Sequence, residues 1–391
     1  MRYLRDSLRD LWTPPRRNIP ALDALRAIAV LLVLCTHWAE PEFAQAGGNV
    51  SSVQAITRLP MFYYGWAGVD LFFVLSGFLI GSQLWRDVAQ TNTVDYRTFF
   101  LRRTYRIWPL YFAMLIYYSV MSAQIHPRLV DWFFLSNYWS GGVPRGWSLS
   151  TEEQFYLAVP LLLILFGRRV RFAHWPWILL GIECGVLALR AWTIAHLPAN
   201  VTNTDFTLIY PFHTHLEGLM AGLLLAWAGV RWPTLFHPLP GTRPAGRVLA
   251  GVGACILAAG ILHSLPGKLF SWVVWGLLFG AVTALALLDR SWITRWMQWR
   301  VWHPLSRLTY GMYLNHFWVL PWATVIAIRS LRAAGATEAS VFFGGLAVGA
   351  VVSVVFATMT FLVIERPFLL LRDRHLLHRR RAAASHIPGH A

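Results

Sequence analysis

The sequence predicts an all-α protein: a polytopic transmembrane helical bundle of about ten spans with both termini cytoplasmic. Composition is the first ground. Of 391 residues, 56% are hydrophobic and only 13% charged, with mean hydropathy +0.47, more apolar surface than a soluble domain of this length buries. The second ground is grouping, because the apolar residues collect into runs long enough to cross a hydrocarbon core. The third is where the basic residues fall. With the N-terminus placed inside, 26 of the 34 Lys and Arg lie in inner segments, six in outer ones, and two (Arg26 and Arg190) within spans. This is the positive-inside pattern. It accounts for a net charge of +16 without nucleic acid as a partner.

Residues 1–18 form a basic, polar lead, and Pro20 suits the first turn of a helix. No small-residue cleavage site follows the first apolar run, so the run at 21–38 reads as a signal-anchor. It carries Asp23, Arg26 and His37. Ionisable side chains inside a span are costly and face a protein interior or a watery cavity, which makes them functional candidates. Eleven residues return His37 to within about 20° of Arg26 and about 16 Å along the axis, so Arg26, Val30, Val33 and His37 form one stripe. A snorkelling arginine and a histidine wetted by headgroups are the plain alternative.

The second span is expected at 63–85, and the third at 107–123 after an arginine-rich stretch at 86–106. The loop 124–150 holds Trp132-Phe-Phe-Leu-Ser-Asn-Tyr-Trp139, read as a short re-entrant or surface piece. Further spans are expected at 152–166, 175–194, 207–227, 248–262, 270–288, 308–328 and 340–364. The basic tail 368–391 reads as disordered or surface-bound, leaving 19–367 as the membrane domain. No internal repeat is visible. Cys35, Cys184 and Cys255 are scattered in apolar runs and read as packing residues, neither disulfides nor a metal site.

With sides assigned, the polar residues sort by depth. Asp70, Glu152, Glu153, His213, His215 and Glu217 fall in the outer half at a depth like that of His37, and Asn315 and His316 reach mid-membrane. Imidazoles and carboxylates are the equipment of general acid–base work. The inner half collects Arg26, Arg102, Arg103, Arg106 and Arg366. Guanidinium clusters suit bidentate binding of phosphates. Together they suggest a long phosphorylated donor that enters from the cytoplasm and reaches the outer half, which is the shape of acyl-coenzyme A. Singly, the arginines also serve as inner anchors, Ser150 with Glu153 fits a capping box, and Gly77 with Gly81 fits helix packing. His126-Pro-Arg-Leu-Val-Asp131 has the H-x4-D spacing of glycerolipid acyltransferases but falls in an outer loop away from any coenzyme. No G-x-S-x-G elbow, P-loop, zinc spacing or dinucleotide loop occurs.

Six short motifs in order carry a resemblance that runs over 21–367. They are Leu22-Asp-Ala-Leu-Arg26 with His37, Gly68-Val-Asp-Leu-Phe-Phe-Val-Leu-Ser-Gly-Phe78, and Arg103-Thr-Tyr-Arg106 with Pro109. Trp147-Ser-Leu-Ser-Thr-Glu-Glu-Gln-Phe-Tyr156, Tyr310-Gly-Met-Tyr-Leu-Asn-His316 and Ile364-Glu-Arg-Pro367 follow. The chain resembles the acyltransferase-3 family of bacterial integral-membrane acyltransferases, in the form without a fused hydrolase domain. The resemblance implies transfer of an acyl group, expected to be acetyl, from cytoplasmic acyl-coenzyme A to a hydroxyl of an extracytoplasmic glycan, a lipid-linked saccharide or a small molecule. It implies Arg26 and His37 as an essential pair and Arg103 with Arg106 as the coenzyme-facing motif. Asp70, Ser76, Glu153 and Glu365 match motif positions without a ranked role. A separate periplasmic partner protein is left open.

The expected enzyme is thus a multi-pass inner-membrane O-acyltransferase with acyl-coenzyme A as co-substrate and no resident cofactor or metal. Arg26, Arg103 and Arg106 are expected to hold the coenzyme. His37 is expected to act as general base on the acceptor hydroxyl or as a transient acyl carrier, with Asp70 or Glu153 orienting it. A proton-coupled transporter or exporter is the alternative, because intramembrane His and Asp also build relays, although the paired repeats of such proteins are not visible. A binding scaffold is the third reading.

Overall fold

The structure, a computed structural model, describes residues 2–15, 18–39, 43–45, 47–121, 129–198, 204–236, 269–288 and 295–385. The expected span at 248–262, Cys255 and His126 lie outside the described residues. Among the described residues the secondary structure is helical throughout, with no strand. Eleven long helices organise it: α1 (Arg2–Trp12), α2 (Pro20–His37), α3 (Gly68–Thr91), α4 (Tyr96–Met121), α5 (Trp147–Phe166), α6 (Trp175–Ala195), α7 (Glu217–Arg231), α8 (Ser271–Leu288), α9 (Trp302–Ala333), α10 (Glu338–Thr360) and α11 (Arg366–Ser385). Among the described residues, five helices are long and apolar enough to cross a bilayer. Their outward faces carry exposed apolar residues four apart, such as Leu157, Leu161 and Leu165 on α5 and Val351, Val355, Met359 and Val363 along α10 and its extension. Apolar stripes pointing out of a bundle are the surface that lipid covers, so the protein is a membrane protein.

α2 lies between α3 and α9; α3 packs along α7, and α9 along α10. The α3–α7 seam depends on glycine. A Cβ on Gly77 would strike the Leu219 carbonyl, and one on Gly222 would lie 2.6 Å from the Phe78 nitrogen, so backbone meets backbone. The helix-packing reading of Gly77 thus describes its place. Buried aromatic tips tie neighbouring helices through carbonyl oxygens: Trp85 Nε1 to Leu223 (2.9 Å), Trp38 Nε1 to Phe342 (3.1 Å) and Tyr118 Oη to Leu314 (2.9 Å). Each satisfies a donor that burial would otherwise strand.

Four segments depart from the sequence expectation. The span expected at 207–227 is broken: a π-turn at Asp205–Ile209 and a 3-10 turn at Phe212–Thr214 precede α7, which starts only at Glu217. Pro211 denies an amide to a continuous helix, and the Thr214 carbonyl is taken by the buried Arg190 guanidinium. The helix of the third expected span, α4, begins at Tyr96, not near 107, so Arg102, Arg103 and Arg106 lie within its length and not at its mouth. The 132–139 piece is buried in part: Ser136 and Asn137 are buried and Phe134 packs on Tyr111 at 4.5 Å between ring centroids, whereas Trp132, Phe133 and Trp139 are exposed. The lead is helical over Arg2–Trp12, and the tail is helical where described. Leu11 and Ser7 of α1 are buried, and Leu369 of α11 is buried beyond a π-turn at Phe361–Glu365 that joins α10 to α11.

Candidate active site

The helical period aims side chains from five helices into one cavity of about 120 Å³. α2 supplies Arg26 and α4 supplies Arg103 and Arg106, one turn apart. α5 supplies Ser148, Glu152 and Tyr156, a spacing of four that keeps them on one face. α3 supplies Phe72 and Ser76, and α9 supplies Thr309, Tyr310 and Tyr313. The Ser76 and Tyr156 hydroxyls pair at 2.8 Å, and the Arg103 guanidinium lies 5.4 Å from the Tyr156 ring centroid. Tyr310 Oη donates to the Ile107 carbonyl at 2.9 Å, fixing α9 against α4 at the wall. Three guanidiniums facing one carboxylate, Glu152, leave the cavity electropositive. Such a site suits an anion with spare oxygens.

At the Arg26 end the charges continue. Glu365, buried in the π-turn, has Arg106 and Arg307 as its nearest charges. Asp10 of α1 pairs with Arg307 at 3.3 Å and Arg366 at 3.0 Å, so the N-terminal helix is clamped beside the same cluster. Asp23 accepts from His303 Nδ1 (2.8 Å) and Asn18 (2.7 Å), which gives this span-one carboxylate a positioning role at the helix start.

His37 lies at the other end of α2 and does not line the cavity. Its Nδ1 is 3.1 Å from His316 Nε2, with ring centroids 4.9 Å apart. His316 Nδ1 is 2.6 Å from the Tyr313 carbonyl. A carbonyl only accepts, so His316 carries its proton on Nδ1 and presents a bare Nε2. With both rings neutral, the His37 Nδ1–H donates to that nitrogen, and His37 Nε2 keeps its lone pair. Tyr313 lines the cavity, and its hydroxyl bonds Ser148 at 2.5 Å, so one residue borders both the arginine cavity and the imidazole pair.

The expected orienting carboxylates hold other partners. Asp70 accepts from His215 Nε2 at 2.8 Å, and His215 Nδ1 donates to the Ile209 carbonyl at 2.8 Å. Glu153 accepts from Trp108 Nε1 at 3.0 Å. Neither contacts His37, whose partner is His316. The reason is helical phase: Asp70 and Glu153 share the depth of His37 but point to different neighbours. Glu217 pairs with Arg190. His213 stacks on Tyr138 and bonds its hydroxyl at 3.0 Å, and burial pushes its imidazole below the ordinary range.

Sequence reasoning gave no site role to four residues here, although it placed two of them, Glu152 and His316, among the candidates by depth. Glu152, not Glu153, faces the cavity, and the Ser148–Glu152–Tyr156 spacing carried that signal. His316 and Tyr313 share a helix face three apart, which was legible, but their pairing with His37 is a contact between distant segments. Arg145 carried no signal. It has φ 55°, its guanidinium lies 5.8 Å from the Phe317 ring centroid, and its carbonyl accepts from Tyr313 Oη at 3.2 Å.

Comparison with known proteins bears on this geometry. The model of the family Acyl_transf_3, described as "Acyltransferase domain", matches residues 19–358. The peptidoglycan O-acetyltransferase OatA of Listeria monocytogenes is 28% identical over 346 residues, covering 80% of this chain and 51% of that protein. YrhL of Bacillus subtilis, whose name gives the same activity provisionally, is 29% identical over 351 residues, covering 80% of this chain and 50% of the other. The chain therefore spans about half the length of these curated relatives. No solved structure matches it.

Proposed function

We propose that this chain, which belongs to the Acyl_transf_3 acyltransferase family, moves an acyl group, acetyl in the first instance, from acyl-coenzyme A to a hydroxyl of a glycan across the membrane. The observation that carries the reading is one cavity in which Arg26, Arg103 and Arg106 converge, bordered by the Tyr313 that also seats the His37–His316 pair. The names of the relatives add the acceptor class, a cell-wall glycan.

The pantetheine arm is placed in this cavity, with phosphates held by the guanidiniums at its Arg26 end. We place that end toward the cytoplasm, where the basic residues gather. His37 Nε2 takes the proton of the acceptor hydroxyl as its oxygen attacks the thioester carbonyl. The tetrahedral intermediate expels the coenzyme A thiolate, and the His37 imidazolium returns the proton to that sulfur. The products are an O-acyl glycan and coenzyme A thiol, and His316 holds the His37 tautomer throughout.

The test incubates membranes containing the full chain with radiolabelled acetyl-coenzyme A and measures label in envelope glycan. Label should appear with the natural protein and vanish with His37→Ala at equal protein abundance. Transfer that survives the substitution removes His37 from the chemistry, and absence of label with the natural protein removes the reading.

A further inference from the structure

A second recess, lined in part by Arg145, shares no residue with the arginine cavity. We infer that it is the acceptor subsite, that it takes one saccharide ring bearing a carboxylate, and that Arg145 sets this preference. The inference rests on the acyltransferase reading above and names the substrate class of that site.

The recess encloses about 190 Å³, room for a single sugar ring, and is lined by Arg145, Trp147, Phe206 and Tyr210 with the chain from Ser140 to Gly146. Phe206 is 39% exposed and stands edge-on to Tyr210, offering an apolar surface of the kind that meets the C–H face of a sugar. Behind it the wall is rigid. Tyr210 stacks on Trp147 (4.7 Å, 20°) and Trp147 on His215 (5.8 Å, 24°), and His215 is pinned by Asp70. The buried Asp70–His215 pair therefore has a task other than orienting His37: it fixes the aromatic wall of this recess.

Arg145 carries the chemistry. It holds φ 55°, a left-handed conformation that L side chains rarely adopt. Glycine would sit there without strain, so the side chain at 145 is kept for what it does. One N–H of its five-donor fork goes to Tyr210 Oη at 3.1 Å. Its guanidinium lies 5.8 Å from the Phe317 centroid, and the His37 ring is 4.6 Å from that same ring. Guanidinium and imidazole are thus no further apart than these two distances together. A carboxylate held by Arg145 presents another oxygen of its ring toward His37.

The experiment measures saccharide binding to the full chain in lipid nanodiscs by calorimetry and saturation-transfer NMR, without acyl-coenzyme A. The probes are the methyl glycosides of N-acetylmuramic acid, which bears a carboxylate, and N-acetylglucosamine, which does not. The acidic glycoside should bind roughly tenfold or more tightly, and Arg145→Gln should erase the difference. Arg145→Gly should do the same while relieving the backbone, which separates lost binding from lost folding. Phe206→Ala should weaken both sugars alike. Binding of neither glycoside, or binding indifferent to both Arg145 variants, overturns the inference. Robust acyl transfer alongside that indifference sinks the inference alone. Arg145-dependent binding with no acyl transfer to any glycan leaves a carboxylate-sugar site and refutes the acyltransferase reading.

Discussion

Glu152 and Glu153 are separated by about 100° around α5, and that turn places them in different chemistry. Glu152 faces three guanidiniums, whereas Glu153 accepts from the Trp108 indole. Glu152→Gln should lower acyl transfer roughly tenfold or more and change coenzyme A affinity, because it removes the one carboxylate on the cavity wall. Glu153→Gln keeps an oxygen for Trp108 and should leave both nearly unchanged. Equal effects in a radiolabel assay would show that the two carboxylates act as a unit. At the other end, His37→Gln should cost roughly 10²–10⁴-fold in turnover with coenzyme A binding intact. His316→Asn, which still offers an acceptor to the His37 Nδ1–H, should retain more activity than His316→Ala. If the two His316 variants are equally inactive, tautomer control is not what His316 supplies. Asp70→Asn keeps an oxygen for His215 and should raise the acceptor KM with little change in kcat; a fall in kcat alone would return Asp70 to the chemistry.

At the scale of the element, the α3–α7 seam holds these two helices in backbone contact, and through them the cavity wall at Ser76 and the broken segment before α7. A methyl at Gly222 has no room, since it would meet the Val74 carbonyl as well as the Phe78 nitrogen. Gly222→Ala should therefore destabilise by about 1–3 kcal/mol, seen as a lower midpoint of thermal unfolding in detergent. Gly280 on α8 is the control. Its added Cβ would meet only the Ala221 Cβ at 3.7 Å, an ordinary contact, so Gly280→Ala should be neutral or slightly stabilising. Equal losses at the two sites would mean that the seam is not where the chain is tight. The π-turn at Phe361–Glu365 belongs to this scale too. Its extra residue per turn directs Glu365 into the bundle, beside Arg106 and Arg307, where a regular helix would phase it differently.

For the whole molecule, the split of 26 basic residues in expected inner segments against six in outer ones predicts a direction in the membrane. A reporter fused after Ala391 should behave as cytoplasmic, and one inserted within 196–206 as periplasmic. If either reports the opposite side, the donor and acceptor ends of the proposed reaction exchange places. The molecule holds two separate cavities, an electropositive one lined by α2, α3, α4, α5 and α9 and an aromatic one beside Arg145, and Tyr313 touches both the first cavity and the Arg145 carbonyl.

Amino-acid order by itself determined the all-α class, the apolar helices, and the stripe that joins Arg26 to His37, because these follow from composition and from a period of 3.6 along one helix. It also singled out Arg103 and Arg106, since an arginine pair one turn apart shares a face. It misjudged the segment ahead of α7, where hydropathy reads straight through Pro211 and cannot sense that Arg190 claims the Thr214 carbonyl. It set Asp70 and Glu153 beside His37 because depth is legible in sequence and azimuth between helices is not. Which face of one helix meets which face of another depends on close approach at sites such as Gly77 and Gly222, and on contacts between residues hundreds of positions apart. Tertiary packing therefore decided that His37 pairs with His316, that Asp70 pairs with His215, and that an arginine strained at position 145 stands between the imidazoles and an aromatic recess.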